Sequence, residues 1–214
     1  MGLRVVVEPV GEPVSLDLAK NHLRIDPDIT DDDALIRLLI SAARRYAEDY
    51  TSRSFFTQKL QQVLDLFPGA PDYVVPGQLL PLSLRGYASS PVILLRRGPV
   101  QSVEAVEYRT AAGWLTLSPD QYVLDTSSVI ARLAPAAGCS WPFVLNQIGS
   151  VRISYTAGYG AIEASVPEGI RHWIMLRLTT LYQNREEVAI MSRGKVDPLP
   201  YVDSLLDFVK EPVI

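Results

Sequence analysis

Apolar side chains recur every three to four positions in two long stretches of this chain, and every second position in much of the stretch between them. In the first, Thr30 to Ser52, residues Leu35, Leu38, Leu39, Ala42 and Tyr46 have the spacing that keeps one face of a 3.6-residue helix against a core. Ile36, Ile40, Ala43 and Ala47 widen the stripe, and Arg37, Ser41, Arg44, Arg45 and Glu48 are left to face water. Thr30 is expected to cap free amides, with Asp31, Asp32 and Asp33 at the positive end of the helix dipole. The second stretch, Ser165 to Arg185, opens with the Ser-x-x-Glu spacing of a capping box and places Pro167 in the first turn, where no amide is needed. Ile170, Trp173, Ile174, Leu176, Leu178, Leu181 and Tyr182 cover more than half its circumference, which predicts a helix central in a bundle or covered by another subunit. Shorter helices are predicted over Ser15 to Leu23 and Pro200 to Val209, the latter with Val202, Leu205, Leu206 and Val209 on one face.

From Lys59 the period changes to two. Strands are predicted at Gln62 to Leu66, Val92 to Arg97, Ser102 to Tyr108, Trp114 to Leu117, Tyr122 to Asp125, Val129 to Leu133 and Val151 to Thr156. Gly98-Pro99, Ala112-Gly113, Ser118-Pro119-Asp120 and Gly158-Tyr159-Gly160 supply turns. No helical crossover separates the strands, so they are expected to pair antiparallel. The expected fold class is α+β: a helical bundle (1–58 and 160–214) interrupted by an inserted antiparallel β-sandwich or barrel-like domain (59–159). Within that domain, 67–91 reads as a long loop or edge hairpin suited to contacting a partner, punctuated by Pro68, Pro71, Pro76, Pro81 and Pro91 with Gly69, Gly77 and Gly86. Glu186 to Pro198 reads as a solvated connector.

Composition removes several function classes. The 214 residues are 48% hydrophobic and 21% charged, with net charge −4 and no like-charge run longer than Asp31 to Asp33, so disorder and a wrapping basic footprint are both disfavoured. Charges interrupt the apolar stretches before they reach membrane-spanning length, and the N-terminus lacks the order of a signal peptide. Cys139 is the single cysteine, so no internal disulfide forms and a reducing compartment is expected.

Candidate chemistry is sparse. His22 and His172 have no second ligand-type residue three or four positions away, so no metal site is expected. Cys139 matches no nucleophile signature, and the three aspartates fit a helix start better than a metal cluster. Glu186 and Glu187 have no apolar surroundings to raise a carboxyl pKa. Gly158-Tyr159-Gly160 and Arg193-Gly194-Lys195 lack the spacing of a phosphate loop, and Trp114, Trp141 and Trp173 lie on three different elements. No catalytic residue, metal or cofactor is expected.

A series of phrases in a fixed order carries a family resemblance. It runs Leu16-Asp17-Leu18-Ala19-Lys20-Asn21-His22-Leu23-Arg24-Ile25 with the Asp31 to Asp33 opening, then Ala42-Ala43-Arg44-Arg45-Tyr46-Ala47-Glu48, then Arg97-Gly98-Pro99-Val100-Gln101-Ser102-Val103. Val151 to Gly160 and Val166-Pro167-Glu168-Gly169-Ile170-Arg171 complete it. In this the chain resembles the head–tail connector, or adaptor, proteins of long-tailed bacteriophages and gene transfer agents, with the proline-rich stretch before Pro91 as an enlargement of the usual pattern. The resemblance implies a non-enzymatic ring, dodecameric in the particle, that docks beneath the portal protein, meets a stopper or tail-completion protein, and lets DNA pass without specific binding. It implies a place in the virion neck, assembly in the host bacterial cytoplasm and no membrane partner. Carried onto this chain, portal docking falls to Tyr201 through Ile214, with Tyr201, Leu205, Leu206, Phe208, Val209, Val213 and Ile214 as its residues. Two rival readings remain: a binding module, such as an adhesin or tail accessory, using the Tyr73 to Tyr87 loop, and a hydrolase with a cleft at Trp114, Tyr122 and Asp125.

Overall fold

A computed structural model of the chain describes residues 2–69, 90–184 and 202–211. Residues 70–89 of the proline-rich loop and the Glu186 to Pro198 connector lie outside the described residues. The chain is α+β and divides into two units: one drawn from Met1–Glu8 and Gln58–Ala157, the other from Pro9–Thr57 and Gly158–Ile214.

The second unit is helical, with α1 (Leu16–Leu23), α2 (Asp33–Thr51), α3 (Glu168–Gln183) and the single turn α4 (Ser204–Asp207). Ser15 caps α1 as its sequence implies, its Oγ accepting from the Leu18 amide at 3.4 Å. The start of α2 differs from expectation. Its N-cap is Asp32, with no side-chain cap, and the Thr30 hydroxyl is not used there. The acids instead grip neighbouring helices: Lys20 Nζ lies 2.6 Å from Asp33 Oδ1, and the Tyr182 hydroxyl donates to Asp32 Oδ2. The capping box of α3 is likewise unformed. Ser165 ends a 3₁₀ turn (Glu163–Ser165) with its side chain against Gly160, and Pro167 is the N-cap, its carbonyl accepting from the Ile170 amide.

The inward arc of α2 is set by Ile36, Ile40, Ala43 and Ala47, all fully buried with Ile170, Trp173, Ile174 and Leu178 of α3. At about 100° per residue this arc continues through Arg44, Glu48 and Thr51, which are buried, and leaves Leu38, Ala42 and Tyr46 outside. Arg44 and Glu48 therefore do not face water. They can be buried because the N-terminal segment brings Glu12 to them: Arg44 Nε lies 2.7 Å from Glu12 Oε2, and Arg44 Nη1 lies 2.8 Å from Glu48 Oε2. Glu48 Oε1 accepts from the Phe55 amide at 2.7 Å.

The other unit holds two antiparallel sheets. The larger has the order β1-β2-β8-β4-β5, from β1 (Gly2–Val7), β2 (Gln58–Leu64), β4 (Val100–Thr110), β5 (Gly113–Thr116) and β8 (Val151–Ala157). The smaller has the order β3-β7-β6, from β3 (Ile93–Leu95), β6 (Tyr122–Asp125) and β7 (Ala131–Pro135). Strand β1 corrects the expectation that residues 1–58 are all part of the helical portion, because Gly2 to Val7 pairs with β2 along its length. Its three consecutive valines show no period two, which hid it in the sequence.

Leu60, Val106, Ile153 and Tyr155 of the larger sheet share a core with Ile93, Leu95, Ala131 and Leu133 of the smaller, closed by Phe67 and Trp141 stacked at 4.6 Å. Two polar side chains bridge the sheets without leaving a buried group unpaired. The Gln62 side chain donates to the Leu94 carbonyl and accepts from the Arg96 amide, and the Tyr155 hydroxyl donates to the Arg96 carbonyl at 2.6 Å.

Gly158 is fixed by backbone geometry, with φ +131° and a position where an added Cβ would stand 2.5 Å from the Phe56 carbonyl carbon and oxygen. Neither neighbour is a side chain that can rotate away. Gly158→Ala is expected to cost about 2–3 kcal/mol or more. Differential scanning calorimetry checks it; an unchanged melting profile would show that the backbone there yields easily.

Candidate docking surfaces

The C-terminal segment was expected to supply the docking residues, and the structure divides them. Tyr201, Val213 and Ile214 lie outside the described residues. Leu206 is fully buried, Val209 nearly so, and Leu205 packs on the same helical core. Polar bonds fasten this segment at several points. Arg53 Nε donates to the Val209 carbonyl at 2.7 Å, the Glu211 amide donates to the Thr51 carbonyl at 2.9 Å, and Trp173 Nε1 donates to Asp203 Oδ1 at 3.1 Å. Lys210 Nζ stands 4.2 Å from the Tyr50 ring centroid. In this conformation Leu206 and Val209 are committed to their own unit, and among the described residues expected to dock Phe208 is the one with its side chain mostly open, at 65% exposure. Its ring lies over Gly169, where a Cβ would come within 3.0 Å of it, so the glycine makes its seat.

A second surface is the outward arc of α2. Leu38 is 65% exposed and Tyr46 50%. Tyr46 is nonetheless held: its ring lies parallel to Trp173 at 5.8 Å between centroids, and the Arg177 guanidinium sits 5.4 Å from it. Beneath this arc runs the buried Arg44 network. Burial by itself would lower the Arg44 pKa, but the hydrogen bond it donates to Glu12 and the charges of Glu48 and Glu12 outweigh it and hold the pKa above its ordinary value. No local pattern signals this network, because Glu12 and Arg44 are 32 residues apart.

The groups of the hydrolase reading do not converge in one sheet. Trp114 is on β5 of the larger sheet, and Tyr122 and Asp125 are on β6 of the smaller. Asp125 is tied to Ser127 and to Arg132, its cross-strand partner, and these bonds bring its pKa down to about 2. A carboxylate so well satisfied is a poor proton acceptor near neutral pH. Cys139 is exposed, no group of three or more potential metal ligands occurs among the described residues, and no described helix is long and apolar enough to cross a membrane.

The fold is that of a two-unit α+β protein. Residues 13–87 match the family model described as phage gp6-like head-tail connector protein. The family resemblance read from the sequence is thereby borne out over that stretch. No curated protein matches the chain. Among solved structures, a chain in the neck of an empty gene transfer agent particle computed with C6 symmetry aligns at TM-score 0.76 and 20% identity, covering 100% of this chain and 97% of that one. A chain in the virion of a native gene transfer agent particle aligns at TM-score 0.75, again with 20% identity and the same coverage. A third, in the neck of a native particle computed with C12 symmetry, aligns at 0.71 with 19% identity and the same coverage. Identity at this level speaks for a shared fold across the whole chain.

Proposed function

We propose that this chain is a structural head–tail adaptor, without enzymatic activity, that forms a ring beneath a capsid portal and joins it to neck and tail proteins while DNA passes through. The observation that carries this reading is the connector-family match over residues 13–87, supported by fold similarity along the full chain to proteins of particle necks. A similar chain in a neck computed with C12 symmetry supports twelve copies. Its place would be the neck of the particle, after assembly in the host bacterial cytoplasm, with a portal protein on one side and a stopper or tail-completion protein on the other.

In physical terms the ring closes by heterologous packing, in which one face of a subunit meets a different face of the next. The outward α2 arc with Leu38 and Tyr46 is the face assigned to that contact, because it leaves apolar area exposed on a helix whose opposite arc is fully packed. Portal contact falls to Phe208 and to Tyr201, Val213 and Ile214. Leu205, Leu206 and Val209 serve instead to seat the segment on the helical unit.

Electron microscopy of the protein mixed with purified portal rings tests the reading, with adaptor density expected beneath each portal. Leu38→Asp is expected to abolish ring closure while moving stability by no more than about 0.5 kcal/mol, since the side chain is exposed. Phe208→Asp, or removal of residues 212–214, is expected to weaken portal attachment with the fold intact. Complete rings formed by Leu38→Asp would reject the α2 arc; undiminished portal binding by both C-terminal variants would reject the docking assignment. Deleting everything from Tyr201 is a poorer test, since it strips Leu206 and Val209 from the core.

A further inference from the structure

We propose that the outer face of the five-stranded sheet touches the phosphate backbone of duplex DNA through Arg4, Arg109 and Arg152, without reading sequence. The strand registers put these residues on one face. Arg4 is opposite Gln61, and Gln61 is opposite Ser154. Arg152, two positions before Ser154, is opposite Glu107, and Arg109, two positions beyond Glu107, is opposite Trp114. Intervening residues such as Leu60, Val106 and Ile153 enter the core on the other side.

The guanidinium groups are positioned but not neutralised. Arg152 lies over the Trp114 ring, 3.9 Å from its centroid, and Arg109 stands at 5.9 Å. Contact with an aromatic face holds a guanidinium in place while leaving its in-plane N–H donors for a partner. Among the described residues, neither makes a side-chain hydrogen bond or ion pair. Arg4 donates twice to Gln61 Oε1, at 3.1 and 2.5 Å, and Gln61 donates on to Ser154 Oγ, so Arg4 is steadied by an uncharged acceptor and keeps its charge. Lys59 and Glu104, 2.8 Å apart on this face, offset each other, which leaves Glu107 as the acid set against three arginines. A chain of net charge −4 thus presents one net positive face.

The spacing suits a duplex. Arg4 on β1 and Arg109 on β4 are separated by three strand intervals, about 14 Å across the sheet, and by four residues, about 13 Å, along it, so about 20 Å in all, a length of duplex axis bearing about twelve phosphate charges. With Arg152 seated on it, the Trp114 ring holds a cation instead of offering itself to an unstacked base, which favours duplex over single strand. The face is also far less basic than a wrapping surface, as passage of DNA requires. In that respect the inference rests on the adaptor reading.

Fluorescence anisotropy of the full chain with a labelled duplex of arbitrary sequence tests it, in the absence of portal. The wild-type chain is expected to bind at low salt. R109Q/R152Q is expected to bind about tenfold more weakly, with the logarithmic salt slope reduced by about 2, and Glu107→Gln is expected to bind more tightly. Circular dichroism and thermal melting confirm that each variant is folded. No binding by the wild type at low salt, or equal binding by R109Q/R152Q, would overturn the proposal. So would a double variant that keeps its DNA affinity but loses portal attachment, since the face would then be a protein-docking surface. Failure of the DNA measurement leaves portal-dependent ring formation to stand or fall on its own micrographs.

Discussion

Arg44→Met is expected to destabilise the helical unit by about 3–5 kcal/mol, one of the two largest effects among the substitutions considered. The arginine side chain is 3% exposed and pairs with Glu48, equally buried, and with Glu12, which is 30% exposed. Methionine fills similar volume, so the loss measures stranded charge more than lost packing. Glu48 would keep the Phe55 amide as a donor but lose its countercharge. Replacing the acid too is therefore expected to restore part of the loss, provided the acceptor for Phe55 survives. The double variant Arg44→Met with Glu48→Gln meets that condition, and it should be more stable than Arg44→Met alone. Urea denaturation of the wild type and both variants measures the difference. A single variant within about 1 kcal/mol of wild type would mean that water reaches the carboxylates and that the network is not a buried one.

The second large effect is expected at Trp173. Its side chain is fully buried at the centre of the helical core, its ring lies parallel to Tyr46, and its indole N–H is donated to Asp203. Trp173→Ala is expected to cost about 3–5 kcal/mol from lost contact and the cavity left behind. It should also loosen the 202–211 segment, because Asp203 loses its donor while Leu206 and Val209 lose a packing neighbour. Trp173→Phe separates the two roles. It keeps most of the apolar area and removes the N–H, so it should cost only about 1–2 kcal/mol while still weakening the tether. Thermal melting reads the first effect, and limited proteolysis after Lys210 the second. If cleavage there is no faster in Trp173→Ala than in wild type, the segment is held without the tryptophan.

Under the proposed assignment of contact faces, both positions bear on assembly. The Arg44 network lies behind the outward α2 arc, and Trp173 supports Tyr46 on that arc and Asp203 at the start of the C-terminal segment. A face docks more tightly when its side chains are already immobilised, since otherwise association must also cover the entropy of ordering them. Variants that weaken these supports should therefore assemble poorly even below their melting temperature, whereas Leu38→Asp should assemble poorly while remaining stable.

Much of this architecture was legible in the chain itself. Period-3.6 apolar stripes located α2 and α3, and alternation located β4 and β8, because each of those elements turns apolar side chains into a core. The missed strand, β1, is an edge strand of consecutive valines, and three apolar residues in a row fit a strand no better than a loop. The caps expected at Thr30 and Ser165 do not form, for a related reason. A hydroxyl three residues before an acid can cap a helix, but Asp32 and Asp33 had better partners in Tyr182 and Lys20, and Ser165 packs against Gly160. Of the residues expected to dock, amphipathicity identified an apolar face at Leu205, Leu206 and Val209 but could not distinguish a face awaiting a partner from one already spent on its own core.

What the sequence alone determined was the order of elements, the α+β class and the resemblance to the connector family, all properties of local periodicity and of phrases in succession. What tertiary structure decided was direction. Helix α2 carries two apolar arcs, and only its packing on α3, with Glu12 delivered from 32 residues away, chose the arc with Arg44 and Glu48 to bury and left Leu38 and Tyr46 outside. The sheet registers likewise gathered Arg4, Arg109 and Arg152, scattered along the chain, onto one face. Periodicity records that a residue lies on a face; which face meets the core depends on contacts between residues distant in sequence, and those exist only once the chain has folded.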